Sequence, residues 1–323
     1  MKKYHFIYIV FAAFIYLNAE GQNLSIAIEQ HKNYYPEDNC TYITVEDLAS
    51  AARVDDHFCI AVTSSNVIRT EHFLKNHPNT ILLLDVAKED DANDSDGLNM
   101  GWITVPPSAR NLIIFNTSAD IEIIHHGIPN NRRNLTKIHF HMPALKKILS
   151  EAFTNQVLFM ESQFDLKEFL INAPELTEIG SMFLLKCEEL KDFFINAPKL
   201  KKIGDLALAV TPIEHFQIDA PSLEEIGWKF LYNHNSKLKT FAMNAPQLKK
   251  IGDHFLGTLS RQEIFYFSGE LNYPLSYIRL QTYNPVLKES FINTFRRLEK
   301  HDLVRQFERN YNPGVLNFVA MAP

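Results

Sequence analysis

The sequence predicts an α/β solenoid, a stack of short coils in which each coil is a strand, a turn and a short helix or second turn. Three observations predict it. One segment recurs four times with nearly the same spelling: LKEFLINAPELTEIG, LKDFFINAPKLKKIG, IEHFQIDAPSLEEIG and LKTFAMNAPQLKKIG. Its anchoring prolines, Pro174, Pro198, Pro221 and Pro246, are spaced by 24, 23 and 25 residues, and a fixed period in the 20s marks stacked repeats. Apolar residues make up 46% of the chain, enough for a continuous core shared between coils that are each too small to bury their own apolar face.

Within a coil the strand comes first. Apolar residues stand five and three positions before each proline: Phe169 and Ile171, Phe193 and Ile195, Phe216 and Ile218, Phe241 and Met243. This is the period-two pattern of a strand with one buried face. Proline lacks the N–H a ladder needs, so it ends the strand. A second apolar ridge follows at Leu176 and Ile179, Leu200 and Ile203, Leu223 and Ile226, Leu248 and Ile251. Gly180, Gly204, Gly227 and Gly252 then imply a left-handed backbone or a close approach between coils. The apolar groups beyond them, such as Phe183 and Leu184, suit a helical turn or short helix. Leu135, Ile138, Phe140 and Pro143 place a further coil upstream in the same register, and NLIIF and TILLLDV offer degenerate ones. Phe265 and Phe267 are expected in a last strand.

The ends differ from the array. Lys2 and Lys3 followed by the apolar run Phe6 to Leu17, with Ala19 and Gly21 at the small positions, predict a signal peptide over residues 1–21 and cleavage before Gln22. The run is short for a membrane span. Residues 22–110 read as an irregular N-terminal cap or worn repeats, residues 111–270 as the solenoid, and residues 271–323 as a mainly helical C-terminal cap. In that tail Leu287, Phe291, Phe295, Leu298 and Leu303 fall at mostly helical spacing. Export implies an oxidising compartment. There Cys40 and Cys59 either pair or stay as two buried thiols, and Cys187 falls at a core position of its repeat.

The stretch LTEIGSMFLLKCEEL, with Ile179, Gly180, Phe183, Cys187 and Leu190, resembles the BspA-like class of bacterial leucine-rich repeats. The resemblance covers residues 133 to 268 well and 40 to 132 loosely. It departs at the Ala-Pro turn and at the cysteine, which only one repeat keeps. It implies a leucine-rich-repeat solenoid used for surface adhesion or protein binding, and no single ligand.

The chemistry-bearing residues point the same way. Positions six, four and two before each proline face away from the buried residues and form columns on the strand face. His139, His141, Glu168, Leu170, Asp192, Phe194, His215 and Gln217 are the candidate binding residues there, with Leu170 and Phe194 as contact anchors. The partner expected is a protein, at a host or cell surface. A glycan-binding module is the alternative reading, and a hydrolase sited in the N-terminal region a further one. A formal charge of −6 without a basic run argues against nucleic acid. No nucleophile elbow, reactive-cysteine signature or phosphate loop is present, so no catalytic residue is assigned. No cofactor is expected either. The acidic run Glu89 to Gly97 has Asp94, Asp96 and Gly97 in the order of a calcium loop. Ala92 stands where the first ligand belongs, and the run reads as a solvated loop. His125, His126, His139 and His141 cluster without a diagnostic metal spacing and read as surface histidines.

After the prolines, Lys146-Lys147, Thr177-Glu178, Lys201-Lys202, Glu224-Glu225 and Lys249-Lys250 alternate in charge, which sets unlike charges beside each other only when the coils stack in one register.

Overall fold

The structure is a computed structural model. It describes residues 25–38, 40–51, 57–87, 97–100, 103–125, 134–154, 165–232, 240–245, 247–248 and 250–252, the strand 277–281, and the single positions 296, 301 and 305. The signal-peptide segment, the acidic run up to residue 96, His126, the strand at Phe265 and Phe267, and nearly all of the C-terminal helical stretch lie outside the described residues.

Residues 25–34 form helix α1. Then come β1 (Thr41–Ile43), α2 (Leu48–Ala51), β2 (Phe58–Thr63), α3 (Glu71–Asn76), β3 (Ile81–Asp85), β4 (Asn111–Phe115), β5 (Ile123–Ile124), β6 (Lys137–His141) and β7 (Lys147–Ile148). The repeats supply β8 (Glu168–Asn172), β9 (Glu178–Ile179), β10 (Asp192–Asn196), β11 (Lys202–Ile203), β12 (His215–Asp219), β13 (Glu225–Ile226), β14 (Thr240–Asn244) and β15 (Lys250–Ile251). Strand β16 (Tyr277–Gln281) lies in the stretch assigned to the C-terminal cap and pairs with β14. Among the described residues two parallel sheets run along the stack. The ten-stranded sheet has the order β1-β2-β3-β4-β6-β8-β10-β12-β14-β16, and the six-stranded sheet has β15-β13-β11-β9-β7-β5.

Every neighbouring pair is parallel and in step: Phe193 lies beside Phe169 and Phe216, and Ile195 beside Ile171 and Ile218. The repeat period thus becomes columns of like residues. Phe140, Phe153, Phe169, Phe183, Phe193, Phe216 and Phe230 are all at most 1% exposed and form an aromatic spine along the core. Phe169 and Phe193 stack with centroids 6.1 Å apart, and Phe193 and Phe216 at 5.5 Å. Offset stacks of this kind add to simple burial. On the six-stranded sheet the register sets Lys147, Glu178, Lys202, Glu225 and Lys250 in one row. Lys250 Nζ reaches Glu225 Oε1 at 2.7 Å and Lys147 reaches Glu178 at 3.4 Å. Exposed pairs like these contribute only about 0–1 kcal/mol each, but a slipped stack would bring like charges together.

The repeat glycines answer the choice left by the sequence. Their φ angles lie outside the left-handed range; what they permit is close approach. A Cβ on Gly204 would sit 2.5 Å from the Ser181 nitrogen and 2.6 Å from the Gly180 carbonyl carbon of the preceding coil. After the glycine the chain makes turns rather than a helix. Met182, Leu184 and Lys186 alternate into the left-handed region, with φ of 59°, 53° and 59°. Their N–H groups bond outward to neighbouring coils, to the carbonyls of Asp205, Ala152 and Ala209 at 2.7, 3.2 and 3.0 Å. A helix would have kept those bonds within one coil. Here each left-handed residue costs about 1–2 kcal/mol, and the bonds that tie the coils together offset it.

Candidate binding face

The outward side of the ten-stranded sheet is built from positions six, four and two before each proline. It divides into two parts. In β2, β3, β4 and β6 nearly every residue is buried on both faces, whereas β8, β10 and β12 alternate between buried and exposed. Helix α1 and the segment after it make the difference. Ala27 packs with Cys59, Ala61, Ile81, Leu83, Ile113 and Phe115 in a second apolar cluster, flanked by Ile28, Tyr35, Cys40 and Tyr42. The Cys40–Cys59 disulfide fastens the segment to β2. Closing a loop of 19 residues stabilises by about 3 kcal/mol in the chain-entropy view.

His139 and His141 therefore do not sit on a free surface as expected. They are 1% and 4% exposed, because two tyrosines of the N-terminal segment cover them. Tyr34 stacks on His141 with centroids 4.1 Å apart, and His141 stacks in turn on Phe115. The Tyr35 hydroxyl lies 2.5 Å from His139 Nδ1 and 2.9 Å from His141 Nε2.

The partners fix the proton positions. His139 Nε2 is 2.7 Å from Glu168 Oε1, and a carboxylate only accepts, so His139 donates there. Its Nδ1 is then an acceptor for the Tyr35 O–H. The Tyr35 oxygen accepts from His141 Nε2–H, leaving His141 Nδ1 to accept from the Asn172 amide at 3.5 Å. The relay has one polarity and both imidazoles are neutral.

Electrostatics agree with this assignment. Burial lowers the His139 pKa, against the pull of Glu168. His141 is pushed down to about 3 by burial and by the imidazoles of His139 and His31. The bond from His139, with Lys137 nearby, holds Glu168 below its usual range. Burial raises the Tyr35 phenol.

Beyond this cover the face is open. Leu170 and Phe194 are partly exposed and directly adjacent in register. Asp192 and His215 are partly exposed, and Gln217 is exposed. Partial burial raises the Asp192 carboxyl, with Glu168 and Glu214 adding to the effect and His215 opposing it. The last column carries a side-chain ladder: Asn196 Nδ2 donates to Asn172 Oδ1 at 3.0 Å, and Asn244 Nδ2 to Asp219 Oδ1 at 2.6 Å.

The remaining candidates are structural. Cys187 is a buried free thiol whose Sγ donates to the Phe153 carbonyl, and burial raises its pKa out of the reactive range. Among the described residues no group of three His, Cys, Asp or Glu could hold a metal ion. No helix among them is long and apolar enough to cross a membrane.

Parallel strand-and-turn coils with apolar columns and a second short-stranded sheet define a leucine-rich-repeat protein. The chain belongs to the BspA-type leucine-rich repeat family, whose model matches residues 108–236 and 155–274 in several copies. This membership suggests a repeat scaffold for protein interaction or adhesion. No curated protein and no solved structure matches the chain.

Proposed function

We propose that this chain is an exported, non-catalytic scaffold that binds another protein through the open strand face of β8, β10 and β12. The observation that carries the reading is the adjacent pair Leu170 and Phe194, left partly exposed on an otherwise polar surface. Apolar side chains near the centre of a polar patch are the usual anchors of an interface. On β8, β10 and β12 the outward positions hold Glu168, Asp192 and Asp219 but neither lysine nor arginine, and only Glu168 meets a lysine from the next strand, Lys137 of β6 at 3.5 Å. A partner that sets a basic group beside an apolar side chain would therefore complement the face. The Cys40–Cys59 disulfide supports export, as does the N-terminal signal pattern with its cleavage before Gln22.

The test is capture from envelope and host-cell extracts by the mature protein and by its Leu170→Asp/Phe194→Asp variant. The reading expects a partner held by the first and lost by the second, with the circular dichroism of the two alike. Equal capture by both would move the site off this face.

A further inference from the structure

Helix α1 and the segment to Asp38 cover half of the strand face through groups that titrate. Three imidazoles are enclosed: His31 at 0% exposure, His139 at 1% and His141 at 4%. His31 Nδ1 is 2.8 Å from the Tyr42 hydroxyl. Its Nε2 faces Asp38 Oδ2 at 3.5 Å, and neither atom has a hydrogen-bond partner. The other charged or titratable neighbours of His31 are Lys137, His139, His57 and Tyr35. His139 faces Tyr35, Glu168, Lys137 and Asp38. His141 faces Tyr34, Tyr35, His139 and His31.

We propose that residues 25–38 are an acid-released strap: closed over β1 to β6 at neutral pH, and lifted off when the enclosed imidazoles take up protons. The relay gives the reason. A second proton on His139 would sit on Nδ1, against the Tyr35 O–H. Rotating that hydroxyl toward His141 Nε2 forces the His141 proton onto Nδ1, where it meets the Asn172 amide donor. Flipping Asn172 breaks the bond it accepts from Asn196. No member adapts alone. Glu168 and Asp38 oppose release by attracting the cations formed. Lys137 and the mutual repulsion of three imidazoliums favour it.

The direction of the pH effect follows. Burial lowers His31 from 6.5 to about 4 and is the main cause for His141 at about 3. Closure is therefore at full strength above pH 6.5 and weakens as pH falls toward these values. Between pH 7.5 and 5, His31 and His141 each shift the equilibrium toward the open state by about thirty-fold, roughly a thousand-fold together. The depression of about 310 Å³ lined by Lys32, Tyr35, Pro36, Asp38, Cys40 and Tyr42 gives solvent a route to the Asp38 side of the cluster. The disulfide at Cys40 keeps the opened strap attached, so release is reversible. Opening would extend the bare strand face by Ile113, Phe115, His139 and His141.

Hydrogen–deuterium exchange by mass spectrometry, corrected for intrinsic rates, tests this without any partner, so its outcome is separate from that of the capture experiment. The protection of residues 25–35 should fall by roughly two decades per pH unit below pH 6, while β8 to β13 stays protected. Unchanged strap protection down to pH 5 overturns the proposal, as does loss in step with β8 to β13. In His141→Phe, which keeps the ring stack but cannot titrate, the drop between pH 7.5 and 5 should shrink about thirty-fold. An undiminished drop in that variant also overturns it.

Discussion

Replacing Gly204 by alanine is expected to lower stability by about 3 kcal/mol, the upper end of what overpacking costs and far more than a methyl group costs on a surface. The new Cβ would lie 2.5 Å from the Ser181 nitrogen. That neighbour is backbone and cannot rotate away, so the coils must separate. The Gly204 N–H bond to the Ile179 carbonyl, at 2.8 Å, is the first to be stretched. Stability in a repeat array is a sum of coil terms and neighbour interfaces. The damage should therefore localise: urea denaturation should show a lower midpoint and a shallower transition, with amide protection lost first around β9 and β11. An unfolding free energy within about 0.5 kcal/mol of the parent would mean that the coils do not approach as described.

The second large effect is expected at Phe193. It is 1% exposed and stacks on the phenylalanines of both adjacent coils. Phe193→Ala should cost about 3–5 kcal/mol, the range for a buried aromatic truncated in a core that cannot collapse. Phe194→Ala, one position along the same strand, should cost less than about 1 kcal/mol because its ring is already partly in water. Thermal denaturation of the two variants side by side checks this. The contrast matters more than either value, since only a strand with alternating faces separates neighbouring phenylalanines so widely.

Much of the fold was legible because the repeat states it several times. Phe at minus five, Ile at minus three and the Leu and Ile after the proline became buried columns, and the alternating Lys and Glu pairs became a charged row. The post-glycine turn was harder to read, since Phe183 and Leu184 are equally apolar in a helix or a turn. The choice was made by hydrogen bonds to other coils, which no local pattern carries.

The N-terminal cover was missed, yet it left a trace. The strands FCIAVT, ILLLD and NLIIF run apolar for four or five consecutive positions, while EFLIN and DFFIN hold three between polar ends and HFQID alternates. Unbroken apolar strands are buried on both faces, so the first group needed a second layer and the later group did not. Helix α1 itself belongs to no repeat. Nothing in its own spelling places Tyr34 and Tyr35 against His139 and His141, more than 100 residues away.

The division of the strand face into a covered and an open part is the claim on which the rest depends. Thiol labelling at pH 7.5 of three single variants, Ile113→Cys, Phe194→Cys and Gln217→Cys, tests it most directly. Cys187 is buried and should stay silent in each. The account predicts rapid labelling at 194 and 217 and protection at 113, where Ile113 now packs in the same cluster as Ala27. Labelling at 113 as fast as at 194, or protection at all three, would contradict it.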